Sequence, residues 1–193
     1  MAIPKILVFA SSTRTGSHNV KLAALAAKEL TLIDADVTRI SLADYPLPIY
    51  DADLDARTGQ PANALKLKQM IMAHNGVFIA SAEYSASVTP LIKNAIDWVS
   101  RVRERGDPTY AAFKNRVFAV AAASVGPGGG LRSLMALRQI LELGCGALVI
   151  PEQVSIPMAD QAFDERDNIL DVGTANLLRA QLARLIDMAR LMM

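Results

Sequence analysis

The chain has 193 residues, of which 52% are hydrophobic, and it carries 20 basic and 19 acidic side chains for a formal net charge of +1. This length is typical of one domain, residues 1–193, with a sizeable core. The near-neutral charge argues against nucleic acid as the main partner, because there is no surplus of cations to neutralise phosphates.

The cysteine content and the hydrophobic runs bear on where the protein works. Cys145 is the only cysteine, which excludes an intrachain disulfide and a cysteine-based zinc cluster. The first apolar strand begins almost at Met1 and leaves no room for a signal peptide. No apolar run approaches the ~20 residues of a membrane span. We therefore expect a cytoplasmic protein without membrane insertion.

Short hydrophobic runs alternate with segments of helical periodicity along the chain. The predicted strands are residues 4–11, 35–42, 76–81, 116–124 and 147–156. The predicted helices are residues 19–30, 64–74, 89–102, 131–143 and 174–191. Thr89 and Pro90 are typical of a helix start, and Gly144 is typical of a helix C-cap. The Pro- and Asp-rich segment 43–55 is predicted to be a loop.

This alternation predicts an α/β fold with a parallel sheet. The strands are continuous apolar runs, so we expect helices on both faces of the sheet. Five β/α units in a chain of this length favour the doubly wound, flavodoxin-like strand order 2-1-3-4-5. In that order, ligands bind in the crevice outside the carboxyl ends of strands 1 and 3.

The loop after the first strand reads SSTRTGSHN, residues 11–19, and is rich in hydroxyl groups. Arg14 adds a planar cation suited to phosphate oxygens, and the following helix start adds backbone N–H groups. The loop lacks the glycine pattern of dinucleotide sites and the Gly-Lys-Ser/Thr ending of nucleoside triphosphate sites. It therefore favours a terminal monophosphate such as that of FMN. The alternative is an ordinary polar loop in which Ser17 caps the helix.

Two further loops follow strands 3 and 4 at the same predicted edge. In residues 82–89, AEYSASVT, the backbone could bond the edge of a flat heterocycle while Tyr84 packs on it. The alternative is a surface loop in which Tyr84 covers the end of the sheet. The glycine-rich residues 124–133 either wall the ring or form a long flexible turn.

These motifs resemble those of the NADPH-dependent FMN reductases of flavodoxin-like fold, which include quinone, chromate and azo-dye reductases. The family's first motif, approximately Gly-Ser-x-Arg-x-x-Ser-x-Asn, is matched from Ser12 to Asn19. Its second, approximately Pro-Glu-Tyr-Asn before a helix beginning Pro-Leu-Lys-Asn-Ala-Ile-Asp-Trp, is matched within residues 82–98. The departures from the motifs are Ser11 for glycine, expected to crowd the phosphate, Ala82 for proline and Ser85 for asparagine.

The resemblance implies non-covalently bound FMN, NADPH or NADH as hydride donor, and a quinone, flavin or similar small molecule as electron acceptor in a ping-pong cycle. The implied FMN-binding residues are Ser12, Arg14, Ser17, His18, Asn19, Ala82, Glu83, Tyr84, Ser85, Ser124 and Gly126. No side chain is assigned a catalytic role, because the cofactor carries the chemistry. No metal site is expected. The sequence marks neither an arginine for a 2′-phosphate nor an acidic residue for a ribose 2′-hydroxyl.

The alternative function is an electron carrier or flavin-binding module without NAD(P)H turnover. Such carriers tend to be strongly acidic and to stack aromatic rings on both flavin faces. The near-neutral charge and the single Tyr84 favour the enzyme. Members of the family form dimers and tetramers, and the apolar helix with Trp98 suits a symmetric contact, so we expect a homodimer or homotetramer.

Several other polar residues have predicted places in the structure. His18 and His74 lack metal-ligand spacing and are expected at the surface, whereas Cys145 is expected to be buried. The alternating aspartates of residues 51–55 are predicted to lie in a mobile flap beside the site. The mixed-charge run 100–107 is either a solvated helix end or an ion-pair network at an interface.

Overall fold

The computed structural model describes residues 3–193, and this part of the chain forms one sheet flanked by helices. The strands are β1 Lys5–Ala10, β2 Asp36–Arg39, β3 Gly76–Ala80, β4 Val117–Ala123 and β5 Leu148–Ile156. The α-helices are α1 His18–Leu32, α2 Ala52–Thr58, α3 Ala62–Met72, α4 Pro90–Arg101, α5 Leu131–Arg138 and α6 Val172–Arg190. A 3₁₀ turn spans Leu42–Asp44, and a π-helical turn, Gln139–Gly144, continues α5.

All neighbouring strands are parallel, and their order is β2-β1-β3-β4-β5, which confirms the predicted flavodoxin-like topology. The register pairs Ala10 with Ala80 and Ala80 with Ala121. The carboxyl ends of β1, β3 and β4 are therefore level, and the loops that follow them leave the same edge of the sheet.

Helices cover both faces of the sheet, as the continuous apolar strands predict. Alternate residues of β1, such as Ile6 and Val8, pack against α1 and α6 on one face. Leu7 and Phe9 point to the other face, where they pack against α3, α4 and α5. None of the helices within residues 3–193 is both long and apolar enough to cross a membrane.

The pairing of β4 with β5 is interrupted by a register shift between Phe118 and Val120. Gln181 of α6 repairs the interruption from the side. Its buried side-chain Nε2 donates to the carbonyl of Val120 at 2.9 Å and to the carbonyl of Glu152 at 3.0 Å. These bonds satisfy backbone acceptors that an irregular ladder leaves without a strand partner.

The structure contradicts two predictions, one about a loop and one about a helix end. Part of segment 43–55 is helical, because Asp51 caps α2 by accepting hydrogen bonds from the backbone N–H groups of Asp53 and Leu54 at 2.8 and 3.1 Å. The aspartates therefore start a helix, and their place in a mobile flap beside the site stays a prediction. Gly144 is not a C-cap either, since it is the last residue of the π-helical turn and Cys145 is the C-cap.

Trp98 and His74 are both buried inside the chain, and for His74 this contradicts the predicted surface position. Trp98 is 0% exposed, and its indole Nε1 donates to the carbonyl of Pro48 at 2.7 Å. The chain thus covers this ring itself, so the ring is not available for a subunit contact, and the homo-oligomer stays a prediction. His74 is also buried, with Nδ1 2.6 Å from the carbonyl oxygen of Met70. Cys145 is buried as predicted, and burial raises the pKa of its thiol to about 11.

The mixed-charge run after α4 binds a buried cation of α3. The ammonium of Lys68 is enclosed and pairs with Glu104 at 2.9 Å and with Asp107. Its hydrogen bond lowers the pKa of Asp107. The acidic members of the run therefore form an intrachain ion-pair cluster, at the sheet edge opposite the predicted site.

Candidate functional site

Ser11 joins the loop after β1 to the loop after β3. Its buried Oγ accepts a hydrogen bond from the backbone N–H of Ala82 at 2.7 Å. Its carbonyl accepts one from Thr89 Oγ1, also at 2.7 Å, and Thr89 caps α4 by accepting from the N–H of Ile92 at 3.3 Å. Because the Ser11 hydroxyl is bonded to Ala82, the expectation that it crowds a phosphate is corrected.

Glu83 joins the loop after β3 to the start of α5. Its Oε1 accepts from Arg132 Nε at 2.8 Å, and its Oε2 accepts from the backbone N–H groups of Arg132 and Ser133 at 3.1 and 3.3 Å. A carboxylate at this position satisfies free N–H groups of the helix and complements its dipole. Ser133 Oγ adds a hydrogen bond to the carbonyl of Ala82 at 3.0 Å.

Asn19 joins the first turn of α1 to the end of β4. Its side-chain Nδ2 donates to the carbonyl of Ala123 at 2.8 Å, and its Oδ1 accepts from the N–H of the same residue at 2.9 Å. The amide is buried and pairs with both backbone groups of one residue. This differs from the predicted contact with a phosphate and makes Asn19 a clamp between α1 and the end of β4.

Residues 12–17, the predicted phosphate-binding loop and called the phosphate loop below, contain several hydrogen-bond donors without a partner in the part of the chain that the structure describes. Ser12 and Ser17 are buried, whereas Arg14 is exposed, and Gly16 has a φ of +70° that favours glycine. Within residues 3–193, no group accepts a hydrogen bond from the backbone N–H of Thr15, Gly16 or His18. Hydroxyl groups, a guanidinium and free N–H groups at a helix start are the donors that an anionic phosphate needs.

His18 borders this loop and lies half-buried, so its predicted surface position is only partly right. Its ring stacks on Phe163 with centroids 6.4 Å apart. Burial lowers the pKa of His18, and the nearby charges of Arg14 and Lys21 lower it further, against an opposing effect of Asp160. The lowered pKa favours the neutral imidazole, which lies beside the open N–H groups of the loop.

Residues 84–87 form a tight turn beside the phosphate loop. The backbone N–H of Tyr84 donates to the carbonyl of Ser87 at 3.0 Å, and the N–H of Ser87 donates back to Tyr84 at 3.0 Å. Ser85 and Ala86 have φ values of +48° and +61°. Two positive φ angles characterise type I′ turns, which favour Asn-Gly, so the Ser-Ala pair is strained. The Tyr84 side chain is 49% exposed.

Two glycines after β4 are closely packed, which argues against a loose turn at this end of the segment 124–133. A Cβ on Gly130 would lie 2.6 Å from Ala122 Cβ, and one on Gly129 would lie 2.8 Å from the nitrogen of Pro157. Both glycines also have positive φ angles. Ser124 Oγ accepts a hydrogen bond from the N–H of Gly126 at 3.4 Å, which closes a local turn directly after β4.

A pocket of about 250 Å³ opens between β1, α1 and β2, beside the phosphate loop. It is lined by Ala10, Ser12, Val20, Ala23, Arg39, Ile40, Ser41 and Asp44. Arg39 and Asp44 thus lie at the edge of the site. This corrects the expectation that no arginine or acidic residue is placed to contact a nucleotide ribose. The sequence could have predicted this position, because β2 is parallel to β1 and its carboxyl end lies at the same edge of the sheet as the other loops.

The fold therefore brings all three predicted loops together, with Asn19 and Glu83 as scaffold and the phosphate loop open. No group of three or more His, Cys, Asp or Glu side chains among residues 3–193 could hold a metal ion. A doubly wound sheet with an open hydroxyl-rich loop after β1 defines a flavodoxin-like nucleotide-binding protein.

Comparison with known proteins identifies the family. Residues 4–161 match the family model of NADPH-dependent FMN reductases, and the chain belongs to this family. It is 33% identical over 183 residues to an NAD(P)H-dependent FMN reductase of Pseudomonas aeruginosa, covering 94% of this chain and 92% of the relative. It is 32% identical over 181 residues to a quinone reductase of Escherichia coli K12, covering 92% and 91%.

A solved structure gives the same result. The flavoenzyme NAD(P)H:(acceptor) oxidoreductase of Paracoccus denitrificans superposes with a TM-score of 0.76 at 26% identity, covering 97% of this chain and 98% of the other. The chain is accordingly an oxidoreductase, with FMN as cofactor and NAD(P)H as electron donor.

Proposed function

We propose that this protein takes electrons from NAD(P)H and delivers them to a quinone, a free flavin or a similar flat acceptor. The observation that carries the proposal is the phosphate loop, where Arg14 and unpaired backbone N–H groups surround the start of α1. The E. coli relative is named a quinone reductase, and that name supports the choice of acceptor.

The donor set suits the phosphate of FMN. Ser12, Arg14 and Ser17 would hold the phosphate together with the N–H groups of Gly16 and His18. A single arginine with several neutral donors matches one monophosphate, whereas a pyrophosphate calls for a glycine pattern that this loop lacks. Asn19 would act on this site through the position of α1, because its amide is already bonded to Ala123.

The second half of the site would hold the flavin ring. Ala82, Tyr84 and Ser85 would line one edge of the ring, and Ser124 and Gly126 would line another. Glu83 would fix the shape of this wall by anchoring it to α5. When bound, FMN supplies the redox chemistry, accepting hydride from the nicotinamide and releasing electrons to the acceptor.

We expect aromatic side chains to leave one face of the bound flavin ring uncovered. Tyr84 is the only aromatic residue in the loops after β3 and β4, residues 81–89 and 124–130. Donor and acceptor would therefore use the same open side in turn, which predicts ping-pong kinetics. This arrangement also supports the enzyme over an electron carrier, in which aromatic rings tend to cover both flavin faces.

Anaerobic mixing of FMN-loaded protein with NADPH, and separately with NADH, tests the proposal. Following the flavin absorbance should show bleaching by at least one donor and recovery after a quinone is added. Bleaching by dithionite but by neither nucleotide would replace the enzyme with the electron carrier.

We also propose a cytoplasmic homodimer or homotetramer. Trp98 is enclosed within its own chain, whereas α5 exposes Leu131 and Met135 one turn apart beside the loop of Tyr84. Exposed apolar side chains next to a site suit a contact between subunits. Sedimentation at micromolar concentration should show a species larger than the 20.7 kDa chain, and a monomer alone would refute the oligomer.

A further inference from the structure

The pocket beside the phosphate loop contains an arginine without a partner. Arg39 ends β2, is exposed, and makes no hydrogen bond or ion pair with another residue of the described range 3–193. Most other arginines that lie in helices or line pockets of the described range form ion pairs or hydrogen bonds, for example Arg132 with Glu83 and Arg138 with Glu142. An unpaired guanidinium in a concave site is free to bind an anionic ligand.

The remaining walls of the pocket suit a sugar that carries a phosphate. The hydroxyl of Ser41 accepts a hydrogen bond from the N–H of Ala43 at 3.2 Å, so its own proton is free to be donated. The Asp44 carboxylate is exposed at the other side and can accept from a sugar hydroxyl. Val20 and Ile40 add an apolar wall for the carbon face of a ribose.

The location relative to the flavin site suits the far half of a dinucleotide. Neighbouring strands lie about 4.8 Å apart, so the end of β2 is roughly 10–15 Å from the ends of β3 and β4. The nicotinamide must reach the flavin ring near β3 and β4. The second ribose, joined through a pyrophosphate, can then extend across the phosphate loop toward Arg39.

We propose that this pocket binds the 2′-phosphate and ribose of NADPH, with Arg39 as the residue that distinguishes NADPH from NADH. The inference rests on the proposed function for the identity of the dinucleotide. Arg39 holds the phosphate as a planar fork, Ser41 donates to it, and Asp44 accepts from the neighbouring ribose hydroxyl. The fork geometry makes Arg39→Lys an incomplete substitute.

Binding of nucleotide fragments tests the pocket without any turnover. Adenosine 2′,5′-bisphosphate and 5′-AMP, which lacks the 2′-phosphate, are titrated by calorimetry into FMN-loaded wild-type protein, Arg39→Ala and Arg105→Ala. Arg105 is an exposed arginine at the opposite edge of the sheet and serves as the matched control. Arg39→Ala should bind the bisphosphate roughly tenfold to hundredfold more weakly, the usual effect of losing a hydrogen bond to a charged group. Binding of 5′-AMP should stay unchanged, and Arg105→Ala should behave like wild type.

Three results would overturn the pocket assignment. One is equal affinity of wild type and Arg39→Ala for the bisphosphate, and another is no detectable binding of it to wild type. The third is a loss of FMN affinity in Arg39→Ala, which would assign the pocket to FMN, because Ser12 lines both sites. Failure of the proposed function is separate, since it leaves the flavin of wild-type protein unbleached by both nucleotides whatever the fragments do.

Discussion

The loops after β1 and β3 lie side by side at the sheet edge but use their polar groups in opposite ways. In the phosphate loop, Arg14 and the N–H groups of Thr15 and Gly16 are left open. In the loop after β3, Glu83 is bonded to the start of α5, and Ala82 is bonded through both its N–H and its carbonyl. Both loops match motifs of the same family, yet the charged side chain is open in the first loop and bonded within the protein in the second.

From this contrast we expect two groups of residues: those that bind FMN, and those whose hydrogen bonds within the protein stabilise the conformation of the site. A buried polar group that loses its partner costs about 1–3 kcal/mol, whereas exposed substitutions usually stay within about 0.5 kcal/mol. Substitutions of the residues that are hydrogen-bonded within the protein should therefore mainly lower the free energy of unfolding. Changes in the phosphate loop should lower FMN affinity and leave the stability of the cofactor-free protein intact.

The largest effect on stability is expected for Asn19→Ala. Removing the amide leaves the N–H and carbonyl of Ala123 buried without partners, at a combined cost of roughly 2–4 kcal/mol of unfolding free energy. Urea denaturation of the cofactor-free protein measures this loss. Asn19→Asp is the matched control, because it keeps the acceptor but lacks the donor, and it should also be destabilised. A loss below about 0.5 kcal/mol in both variants would mean that Asn19 is not a clamp.

Arg14→Ala should show the reverse pattern. We expect FMN binding weaker by roughly 1.5–3 kcal/mol, because a hydrogen bond to a charged group is lost. The urea midpoint of the cofactor-free protein should not change, since the side chain is exposed. Fluorescence titration with FMN provides the affinity, and Arg105→Ala provides the control for removing one positive charge. Unfolding at lower urea with normal FMN affinity would place Arg14 among the scaffold residues.

The strained turn offers a smaller effect in the stabilising direction. Ala86→Gly removes a Cβ from a residue with a φ of +61°, which relieves about 1 kcal/mol of strain, partly offset by the greater freedom of glycine in the unfolded chain. Ser85→Asn should help as well, because asparagine tolerates positive φ. We expect the double variant to retain FMN slightly longer in dialysis than wild type. Faster loss of FMN would show that the strain itself serves binding.

The smallest expected effect is the pH dependence that the protonation of His18 gives to stability and to FMN binding. Burial and the charges of Arg14 and Lys21 lower the pKa of His18 from 6.5, while Asp160 opposes them, and Phe163 covers the ring. The folded state therefore resists protonation, so stability falls as the pH drops below about 6.5.

A bound phosphate would reverse this effect by raising the pKa of His18, so that FMN binding takes up a fraction of a proton. Calorimetry in buffers of different ionisation enthalpy at pH 6.5 measures the uptake. His18→Phe, which keeps a ring against Phe163, should take up less. Equal proton uptake in both proteins would separate His18 from the phosphate site.

The sequence sufficed for the topology because β1, β3 and β4 are uninterrupted apolar runs of adequate length. The short helix α2 escaped prediction because it has no buried residue and so no apolar stripe for periodicity to detect. The hydrogen bond of Trp98 to Pro48 escaped for another reason, since Pro48 lies in an irregular segment without a periodic pattern.

The site was predictable as a location but not as a set of roles. The motif names Asn19 and Glu83, but their partners Ala123 and Arg132 lie 104 and 49 residues away along the chain. Only the folded structure shows that these side chains are already bonded. Arg39 was missed because β2 was treated only as a strand, although its end shares the edge with the phosphate loop.

The most direct test of the central claim is a comparison of FMN with riboflavin, which differ only by the phosphate. Titrating cofactor-free wild-type protein with both ligands measures what the phosphate contributes. Binding through the phosphate loop predicts that FMN binds at least roughly tenfold more tightly, in line with hydrogen bonds to a charged group. Equal affinity for FMN and riboflavin would contradict the assignment of residues 12–17 as the phosphate site.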